Sequence, residues 1–587
     1  EEIKEDFWAG RGIDLDSPEV ELFERRIRAE EASGFMPHSN IAGSYLVLCG
    51  FVAFGIAITK WRRSCDGVSM AGAVATSLGT IAILYSVFLT KSLGALLAGG
   101  AGILLWLVVY LARHWINANR SKALIIGWAC AVAALGSVVG YGLKYDRLPH
   151  MSLTFRWQYW TTSAALIADH PFTGVGRENF GQRYLQYKPI DYPEEVDNPH
   201  NFFVQSAADW GLLGLVGVLV CLVGTTNRLT RPRIPARSTE ANTEGAPSSI
   251  IACGVVLLAV LTVARLPLLG ADDVNFLYSN SVICAIAWAF GFGAFTVAQR
   301  SSDKAASDSS NIATAISIGL FVFLLHEMIN FALFVPGSAT TCFALLAVGI
   351  AYRSPVASIP RAPGHRLSWL ALTAGVVLTI AVVLLAVRPV ASASCSLARA
   401  RQAAHNLAAG PVSAQPADAY FLDAIAADPL DPTPGVERAK WLLALTSTPT
   451  LRDDAFDAAV ASLHIAIARD PFAIRLRRQL MQVFQAKAAY TRNAEDYLAA
   501  VDAANKALTL YPTDPDSMVS LADRQLEAGH AVPSDDLLRA ALQTYQRALD
   551  LDASRPDWEH FRGFTDRQEK AIRAEIQQIQ QRLKHAE

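Results

Sequence analysis

One stretch of the sequence places an ionisable side chain at the beginning of a long apolar segment. Asn198-Pro-His-Asn201 is followed by Phe-Phe-Val-Gln-Ser-Ala-Ala-Asp-Trp and then by Gly211-Leu-Leu-Gly214. An imidazole titrates near neutral pH, so His200 could accept a proton from a hydroxyl group or orient that group. Because roughly 20 mainly apolar residues cross a bilayer as a helix, the pattern predicts a titratable group where a membrane helix meets water.

Further cationic side chains are expected at the same depth of the membrane. Arg265 and His326 each lie about 15 residues into predicted helices, which at 1.5 Å per residue places them roughly 22 Å from the cytoplasmic end. Lys91, Arg156 and Arg177 belong to segments expected on the outer side. Charged groups within spans generally face a cavity, and Arg binds phosphate oxygens through paired hydrogen bonds. The set predicts a cationic pocket that opens outward and suits a diphosphate.

The composition is typical of an integral membrane protein with a soluble tail. Of the 587 residues, 52% are hydrophobic and only 18% are charged, and the apolar residues concentrate before residue 390. We therefore predict an all-α fold that begins with a polytopic transmembrane bundle of about ten helices. These helices are expected near residues 43–59, 71–89, 93–112, 122–142, 202–224, 250–270, 279–298, 312–333, 338–352 and 367–389.

The charge argues against nucleic-acid binding, and the cysteine and histidine patterns argue against a metal site. The formal net charge of −2, with no basic stripe, argues against nucleic-acid binding. The eight cysteines contain no Cys-x-x-Cys pair and lie mostly in apolar segments, so they are expected to pack as small apolar residues. His326-Glu327-Met-Ile-Asn330 lacks the second histidine of a zinc-protease helix, so no metal site is predicted.

The distribution of basic residues predicts the orientation of the bundle. Lys and Arg concentrate in the loops at 60–69, 113–122, 225–249, 299–311 and 353–366, while the alternate short loops carry only Lys91. Basic loops are retained in the cytoplasm, so residues 1–42, the long loop 143–201 and everything after 390 are expected outside. In a bacterium, outside means the periplasm or its equivalent. Because the chain begins with Glu1 and not Met, we also expect that earlier spans precede it.

The segment from residue 396 to 587 has the pattern of a soluble helical repeat domain. Ala424-Ile-Ala-Ala-Asp-Pro recurs in related form at Ala466, Ala507 and Ala548, at spacings of 42, 41 and 41 residues. Each copy ends an amphipathic helix with a turn, as in helix-turn-helix repeats that stack into a solenoid. The tail resembles tetratricopeptide repeats of greater than usual length. Such solenoids bind peptides or proteins, so a protein partner is expected.

Several motifs of the membrane part resemble those of the O-antigen ligase family of bacterial membrane glycosyltransferases. His200 and Asn201, followed by nine residues and Gly-x-x-Gly, match its signature His-[Asn/Ser/Gln]-x9-Gly-x-x-Gly. His170-Pro-Phe-Thr-Gly174-Val-Gly176-Arg-Glu-Asn-Phe is similar to its His-Pro-x-x-Gly-x-Gly-x-x-x-Phe element, and Arg156 lies at the expected distance before it. The resemblance spans residues 34–352.

Three further elements are similar to that family, and two of them depart from it at single positions. The segment around Asn40 resembles its Asn-x-x-Ala element. Ser92-Leu-Gly-Ala resembles its Ser-Arg-Gly-Ala element, with Leu93 where the family often has Arg and with Lys91 nearby. The stretch from His326 to Pro336 resembles a His-x-x-x-Asp-Phe-x-Leu-x-x-Pro element of repeat-bearing members, with Asn330 in place of Asp.

The resemblance implies transfer of a glycan from a polyprenyl-diphosphate carrier to an acceptor hydroxyl at the outer face of the inner membrane. His200 is then the base or the group that orients the acceptor, with no cofactor and no need for ATP. The donor diphosphate is expected to be bound by Arg156, Arg177, Arg265 and Lys91, and supporting roles are expected for Asn201, His326 and Asn40.

The sequence leaves the acceptor open among lipid A core, a growing glycan and a protein hydroxyl. These correspond to an O-antigen ligase, a polymerase and a protein O-oligosaccharyltransferase, and the repeat tail favours a protein partner or acceptor. Two other classes stay open as well. Charged residues within spans also occur in transporters, and the membrane part could anchor a non-catalytic repeat scaffold.

Overall fold

A computed structural model describes residues 31–34, 36–62, 67–192, 194–231, 309–353, 383–409, 414–446, 452–555 and 563–586, and the isolated positions 20, 373, 377, 380 and 381. Within these residues all regular secondary structure is helical, as predicted. Arg265, the predicted spans 250–270 and 279–298, and most of the predicted span 367–389 lie outside the described residues.

The membrane part contains ten described α-helices. They are α1 (Ser39–Trp61), α2 (Gly67–Leu89), α3 (Leu93–Leu111), α4 (Arg113–Ala118), α5 (Arg120–Tyr145), α6 (Met151–Asp169), α7 (Phe180–Tyr184), α8 (Phe202–Leu229), α9 (Ser309–His326) and α10 (Pro336–Arg353).

Six described helical segments are long and apolar enough to cross a bilayer, so the chain is a multi-pass membrane protein. They are Ser39–Trp61, Met70–Leu89, Leu93–Leu111, Arg120–Tyr145, Phe202–Leu229 and Val383–Asn406, and two shorter apolar helices are Asn311–His326 and Pro336–Ala351. Helix α5 exposes large apolar side chains such as Ile125, Val132 and Leu143, as a lipid-facing helix does. The predicted total of about ten spans is not confirmed.

Helix α1 lies at the centre of the described bundle because small residues let its neighbours approach closely. A Cβ atom at Gly55 would lie 2.3 Å from the Cβ of Ala315 in α9. A Cβ at Gly102 of α3 would lie 2.4 Å from Phe51 of α1 and equally close to Val322 of α9. Without water to drive helices together, such close packing is a main source of association in a membrane.

The predicted span 312–333 ends early, and this prediction was wrong in its length. Helix α9 stops at His326, and the chain turns through Glu327–Asn330 before a short 3₁₀ helix, Ala332–Phe334, and Pro336 at the start of α10. The buried carboxylate of Glu327 accepts a hydrogen bond from the Leu333 N–H at 2.8 Å, which competes with continuation of the helix.

The loop between α5 and α8 is built around helix α6 and the single-turn helix α7. Phe180 and Tyr184 of α7 are buried against Tyr159 and Leu166 of α6 and against Ala208 of α8. The loop therefore has an apolar core of its own, and α6 connects that core to the segment that carries His200.

The C-terminal tail is a succession of helices, each packed against the next. They are α11 (Arg388–Ala409), α12 (Gln415–Ala427), α13 (Thr433–Leu445), α14 (Arg452–Arg469), α15 (Ile474–Thr491), α16 (Ala494–Leu510), α17 (Pro515–Ala531), α18 (Asp535–Ala553) and α19 (Asp566–Ala586). The recurring Ala424, Ala466, Ala507 and Ala548 lie near the C-terminal ends of alternate helices and are buried. Membership of the tetratricopeptide class stays a prediction, and α11 runs unbroken through residues 390–396.

Two turns of the tail contact the 143–201 loop, at residues 182–195. In the turn before α15, Asp470 accepts a hydrogen bond from Gln182 at 3.3 Å. In the turn before α17, the Tyr511 hydroxyl donates to Glu195 at 2.8 Å, and Thr513 donates to the Lys188 carbonyl at 3.0 Å. Phe472 lies in the same turn as Asp470, and its ring centre is 3.8 Å from the Arg183 guanidinium carbon. The tail and the loop thus share one interface.

We expect the Tyr511→Phe substitution to loosen this interface without unfolding the tail. Burial, together with the nearby Glu195 carboxylate, raises the pKa of Tyr511, so its hydroxyl stays a donor at neutral pH. Removing this hydrogen bond costs on the order of 1 kcal/mol locally. Hydrogen exchange measured by mass spectrometry should therefore rise in residues 180–195. Tyr545→Phe is the matched control, because its hydroxyl contacts Asp523 inside the tail. Equal hydrogen exchange of residues 180–195 in the two variants would contradict an interface between the tail and the loop.

Candidate functional site

His200 occupies a strained turn immediately before helix α8. Its φ of 49° lies in the left-handed region, and its N–H donates to the Asn198 side-chain oxygen at 3.1 Å. Asn201 then caps α8, because its side-chain oxygen accepts from the N–H groups of Phe203 at 2.9 Å and Val204 at 3.2 Å. The prediction that this motif begins a membrane helix is confirmed.

The His200 ring lies between two aromatic residues. Its centre is 5.8 Å from Tyr159 and 4.9 Å from Phe331, which meets it edge to face. Its Nδ1 atom is buried and has no hydrogen-bond partner among the described residues. Burial, with smaller contributions from the charges of Arg156 and His38, lowers the pKa of His200 to about 3. The imidazole is therefore neutral at physiological pH, and one of its ring nitrogens can accept a hydrogen bond.

Arg156 projects from α6 toward the turn that follows α9. Its Nε donates to the Ile329 carbonyl at 2.7 Å, and its Nη1 donates to the Ser152 carbonyl at 2.7 Å and also contacts the Ser152 hydroxyl. In the part of the chain that the structure describes, no group accepts a hydrogen bond from Nη2. Burial lowers the pKa of Arg156, yet a guanidinium stays charged at any physiological pH. The side chain is half-buried and its charge acts on His200.

The two glycine-rich motifs meet at a break in helix α8. Gly211 has φ 68° and ψ −173°, so the helix is interrupted there. The loop segment repairs part of the interruption: the Ala208 carbonyl accepts from the Val175 N–H at 2.8 Å, and the Leu212 N–H donates to the Pro171 carbonyl at 2.7 Å. Backbone groups at membrane depth must find such partners, because lipid offers none.

Both motifs need glycine at this junction because the backbones approach too closely for a side chain. A Cβ at Gly211 would lie 2.4 Å from the Phe172 carbonyl oxygen, and a Cβ at Gly174 would lie 2.4 Å from the Ala208 carbonyl oxygen. Gly174 and Gly176 also have φ values of 63° and 86°. A Cβ at Gly214 would lie 2.3 Å from the Cβ of Trp210. The motifs therefore form one structural unit.

A buried polar network connects α1 and α3 to the end of α9. Asn40 accepts a hydrogen bond from Ser92 at 2.6 Å. Ser44 and the Nδ1 atom of His326 are 2.6 Å apart, and the Asn330 amide donates to Ser44 at 2.9 Å. A Cβ at Gly94 would lie 2.6 Å from His326 Nε2, so this glycine is what lets the imidazole approach α3.

The structure brings some of the predicted site residues together and leaves others apart. His200, Asn201 and Arg156 lie around the turn after α9. Asn40 and His326 belong to the buried polar network that joins this turn to α1 and α3. Arg177 lies outside this group: it is exposed and pairs with Glu178 at 3.3 Å. Lys91 is exposed in the turn between α2 and α3, with φ 52°. Arg265 lies outside the described residues.

Glu327 is the residue of this region whose importance the sequence analysis missed. Its side chain is 0% exposed, and its backbone carbonyl accepts from the Phe202 N–H at 2.9 Å, next to the His200 turn. The signal in the sequence is an acidic residue at the end of an apolar segment. No group of His, Cys, Asp and Glu residues that could hold a metal occurs within the described ranges.

Most of these motifs fall within a segment that is related to a known family. Residues 78–219 match the O-antigen ligase family. The match supports the resemblance derived from the motifs and a glycosyl-transferring role at a membrane. It includes Arg156, His200 and the Gly211 break, and it excludes α1, α9 and the tail. No curated protein matches the chain significantly.

We expect Gly211→Ala to destabilise the protein strongly. The new Cβ would meet the Phe172 carbonyl and would occupy a backbone conformation that alanine disfavours, at a cost of about 2 kcal/mol or more. Gly217→Ala on the same helix is the matched control, because nothing lies within 4 Å of its Cβ position. The melting temperature in detergent should fall for the first variant and stay unchanged for the second. Equal melting temperatures would contradict the proposed break.

The lowered pKa of His200 predicts a loss of stability in acid. Below the usual histidine pKa of about 6.5 the unfolded chain binds a proton at this position, while the folded protein does not until about pH 3. Stability should therefore fall as the pH decreases from 6.5 toward 3. His200→Gln removes this contribution, so its melting temperature should decrease less than that of the wild type between pH 7 and 4.5. Parallel curves would contradict the burial of a neutral imidazole.

Proposed function

We propose that this protein transfers a glycan from a polyprenyl-diphosphate carrier to an acceptor hydroxyl at the outer face of a bacterial inner membrane. The observation that carries the proposal is that the His200 imidazole and the Arg156 guanidinium both contact the turn after α9, through Phe331 and the Ile329 carbonyl, just before α8 begins. The match of residues 78–219 to the O-antigen ligase family supports it independently.

A lipid-linked donor suits this location because its parts differ in polarity. The polyprenyl chain would stay among lipid-facing helices such as α5, whose surface is apolar. The diphosphate would lie at the headgroup level, where the unoccupied edge of Arg156 can donate hydrogen bonds to phosphate oxygens. The sugar would then extend toward His200 and the outer loop.

The proposed reaction exchanges one carbon–oxygen bond for another. The acceptor hydroxyl oxygen attacks the anomeric carbon of the sugar, and the bond from that carbon to the diphosphate oxygen breaks. The diphosphate leaves with the electron pair, and Arg156 stabilises the charge that develops on it. The hydroxyl proton passes to His200. Burial and, to a smaller extent, the charge of Arg156 lower the basicity of this imidazole, and the negative charge of a bound diphosphate would raise it. The donor's diphosphate bond supplies the driving force, so no nucleotide is needed.

The other predicted cations have peripheral roles in this proposal. Arg177 and Lys91 are exposed and would meet the donor diphosphate or lipid headgroups from the outside. We assign Arg265 to the donor on its sequence position alone. Asn201 supports the site by capping α8, while Asn40 and His326 support it through the buried network.

The contact between the tail and the 143–201 loop bears on the acceptor class. The tail contacts the 143–201 loop through Asp470, Tyr511 and Thr513, which places it beside the loop that carries His200. This arrangement favours a protein acceptor or a protein partner that the tail binds. A lipid A core or a growing glycan remains an alternative acceptor, as in a ligase or a polymerase.

We expect purified protein in detergent to transfer glycan from a lipid-diphosphate donor to one class in a panel of lipid, glycan and protein acceptors. His200→Ala should lower the rate by about 100-fold or more, and Arg156→Ala by a similar factor, through loss of proton acceptance and of charge stabilisation. His464→Ala and Arg147→Ala are matched controls at exposed positions and should keep the full rate.

Two results would overturn this function. Uptake of the donor into vesicles without a covalent product would indicate a transporter. Glycan profiles that do not change when His200 is replaced, together with partner binding that is lost when the tail is altered, would indicate a non-catalytic scaffold.

A further inference from the structure

Glu327 is a fully buried carboxylate in the turn that follows α9. One of its oxygens accepts a hydrogen bond from the Leu333 N–H at 2.8 Å, and the Ala332 N–H also donates to the carboxylate. Its other oxygen accepts a long hydrogen bond from the Ser44 hydroxyl at 3.5 Å. A buried carboxylate without such donors would be costly, so these contacts account for its place in the fold.

The turn that this carboxylate closes touches His200 from two sides. The Glu327 carbonyl accepts from the Phe202 N–H at 2.9 Å and so fixes the beginning of α8. Phe331, within the turn, places its ring edge to face with the imidazole at a centroid distance of 4.9 Å. One part of the turn therefore holds the backbone after His200, and another holds its ring.

The same turn also holds Arg156. The Ile329 carbonyl accepts from Arg156 Nε at 2.7 Å, which sets the direction of the guanidinium. Ile329 and Phe331 both lie between Glu327 and its hydrogen-bonded partner Leu333, so closing the turn determines where both groups stand. Ser44 and the Asn330 amide, 2.9 Å apart, tie the turn to α1.

We propose that Glu327 is a positioning residue: its carboxylate closes the 327–333 turn and thereby sets the relative placement of the His200 imidazole and the Arg156 guanidinium. The catalytic part of this inference rests on the proposed glycan transfer, whereas the structural part does not. A hydrogen-bond acceptor of the right length is what the turn requires, because the N–H groups of buried Ala332 and half-buried Leu333 would otherwise lose the carboxylate as their partner.

The substitutions Glu327→Gln, Glu327→Asp and Glu327→Leu separate this role from a simple need for charge. Glutamine keeps one side-chain oxygen at the same length and should preserve the turn. Aspartate keeps the charge, but its shorter side chain withdraws the carboxylate from the Leu333 N–H. Leucine fills the space and removes the acceptor. Asp496→Leu is the control for removing a buried acid, because Asp496 is 7% exposed and lies in the tail.

The first readout is the rate at which diethyl pyrocarbonate modifies His200, followed by peptide mass spectrometry, which requires no transfer activity. Opening the turn exposes the buried Nδ1, so we expect the rate to rise roughly fivefold or more in the Leu and Asp variants. The Gln and Asp496→Leu variants should match the wild type. Exposed His405 is the internal reference and should react equally in all variants.

The second readout is the kinetics of transfer. We expect kcat to fall about tenfold or more in the Asp variant while the KM for the donor changes little, because misplacement affects the transition state most. The Gln variant should restore kcat. If the Leu variant does not fold, comparison of the Asp and Gln variants still tests whether Glu327 positions His200 and Arg156.

Three results would overturn the inference. His200 reactivity at the wild-type level in the Asp variant would show that Glu327 does not hold the turn. An equal rise in His200 reactivity in the Gln and Asp variants would show that the turn needs the charge as well as the length, and not simply an acceptor of the right length. Increased reactivity without any change in kcat would remove the link to transfer. If the wild type itself transfers no glycan, the proposed function fails, and the reactivity series still tests the turn.

Discussion

The arrangement of the 143–201 loop against the membrane helices depends on the break in α8 at Gly211. A helix interrupted within its apolar span leaves carbonyl and N–H groups that lipid cannot satisfy. The segment 171–176 supplies the missing partners for Ala208, Asp209 and Leu212. This requirement fixes the loop against the membrane helix. It also explains the glycines in both motifs, because a side chain at Gly174 or at Gly211 would push the two backbones apart.

The remaining parts of the site are arranged around that junction. Helix α6 packs on α7 and on Ala208, and it carries Arg156 to the turn after α9. The same turn holds the beginning of α8, where His200 lies between Tyr159 and Phe331. The tail contacts the 143–201 loop at residues 182–195. Phe472 of the tail contacts Arg183 of α7, and α7 packs on α6, which carries Arg156. A change in the tail would therefore reach the site through α7 and α6.

The sequence alone allowed the helical class, the start of a membrane helix at His200 and the grouping of His200 with Arg156 to be predicted, because apolar length and local motifs report these features. It did not allow the helix end at His326 to be predicted, since that end depends on a carboxylate that bonds to Leu333 in the folded chain. Arg177 carried the same charge as Arg156 in the sequence, yet it is exposed beside Glu178. Such differences depend on tertiary contacts, which residue type and spacing do not reveal.

The most direct test of the central claim is an electron cryo-microscopy structure of the protein with a polyprenyl-diphosphate-linked glycan bound. We expect the diphosphate within hydrogen-bond distance of the Arg156 guanidinium, the polyprenyl chain against the lipid-facing helices and the first sugar beside the His200 ring. A donor bound elsewhere, with His200 and Arg156 both out of contact with it, would contradict the account.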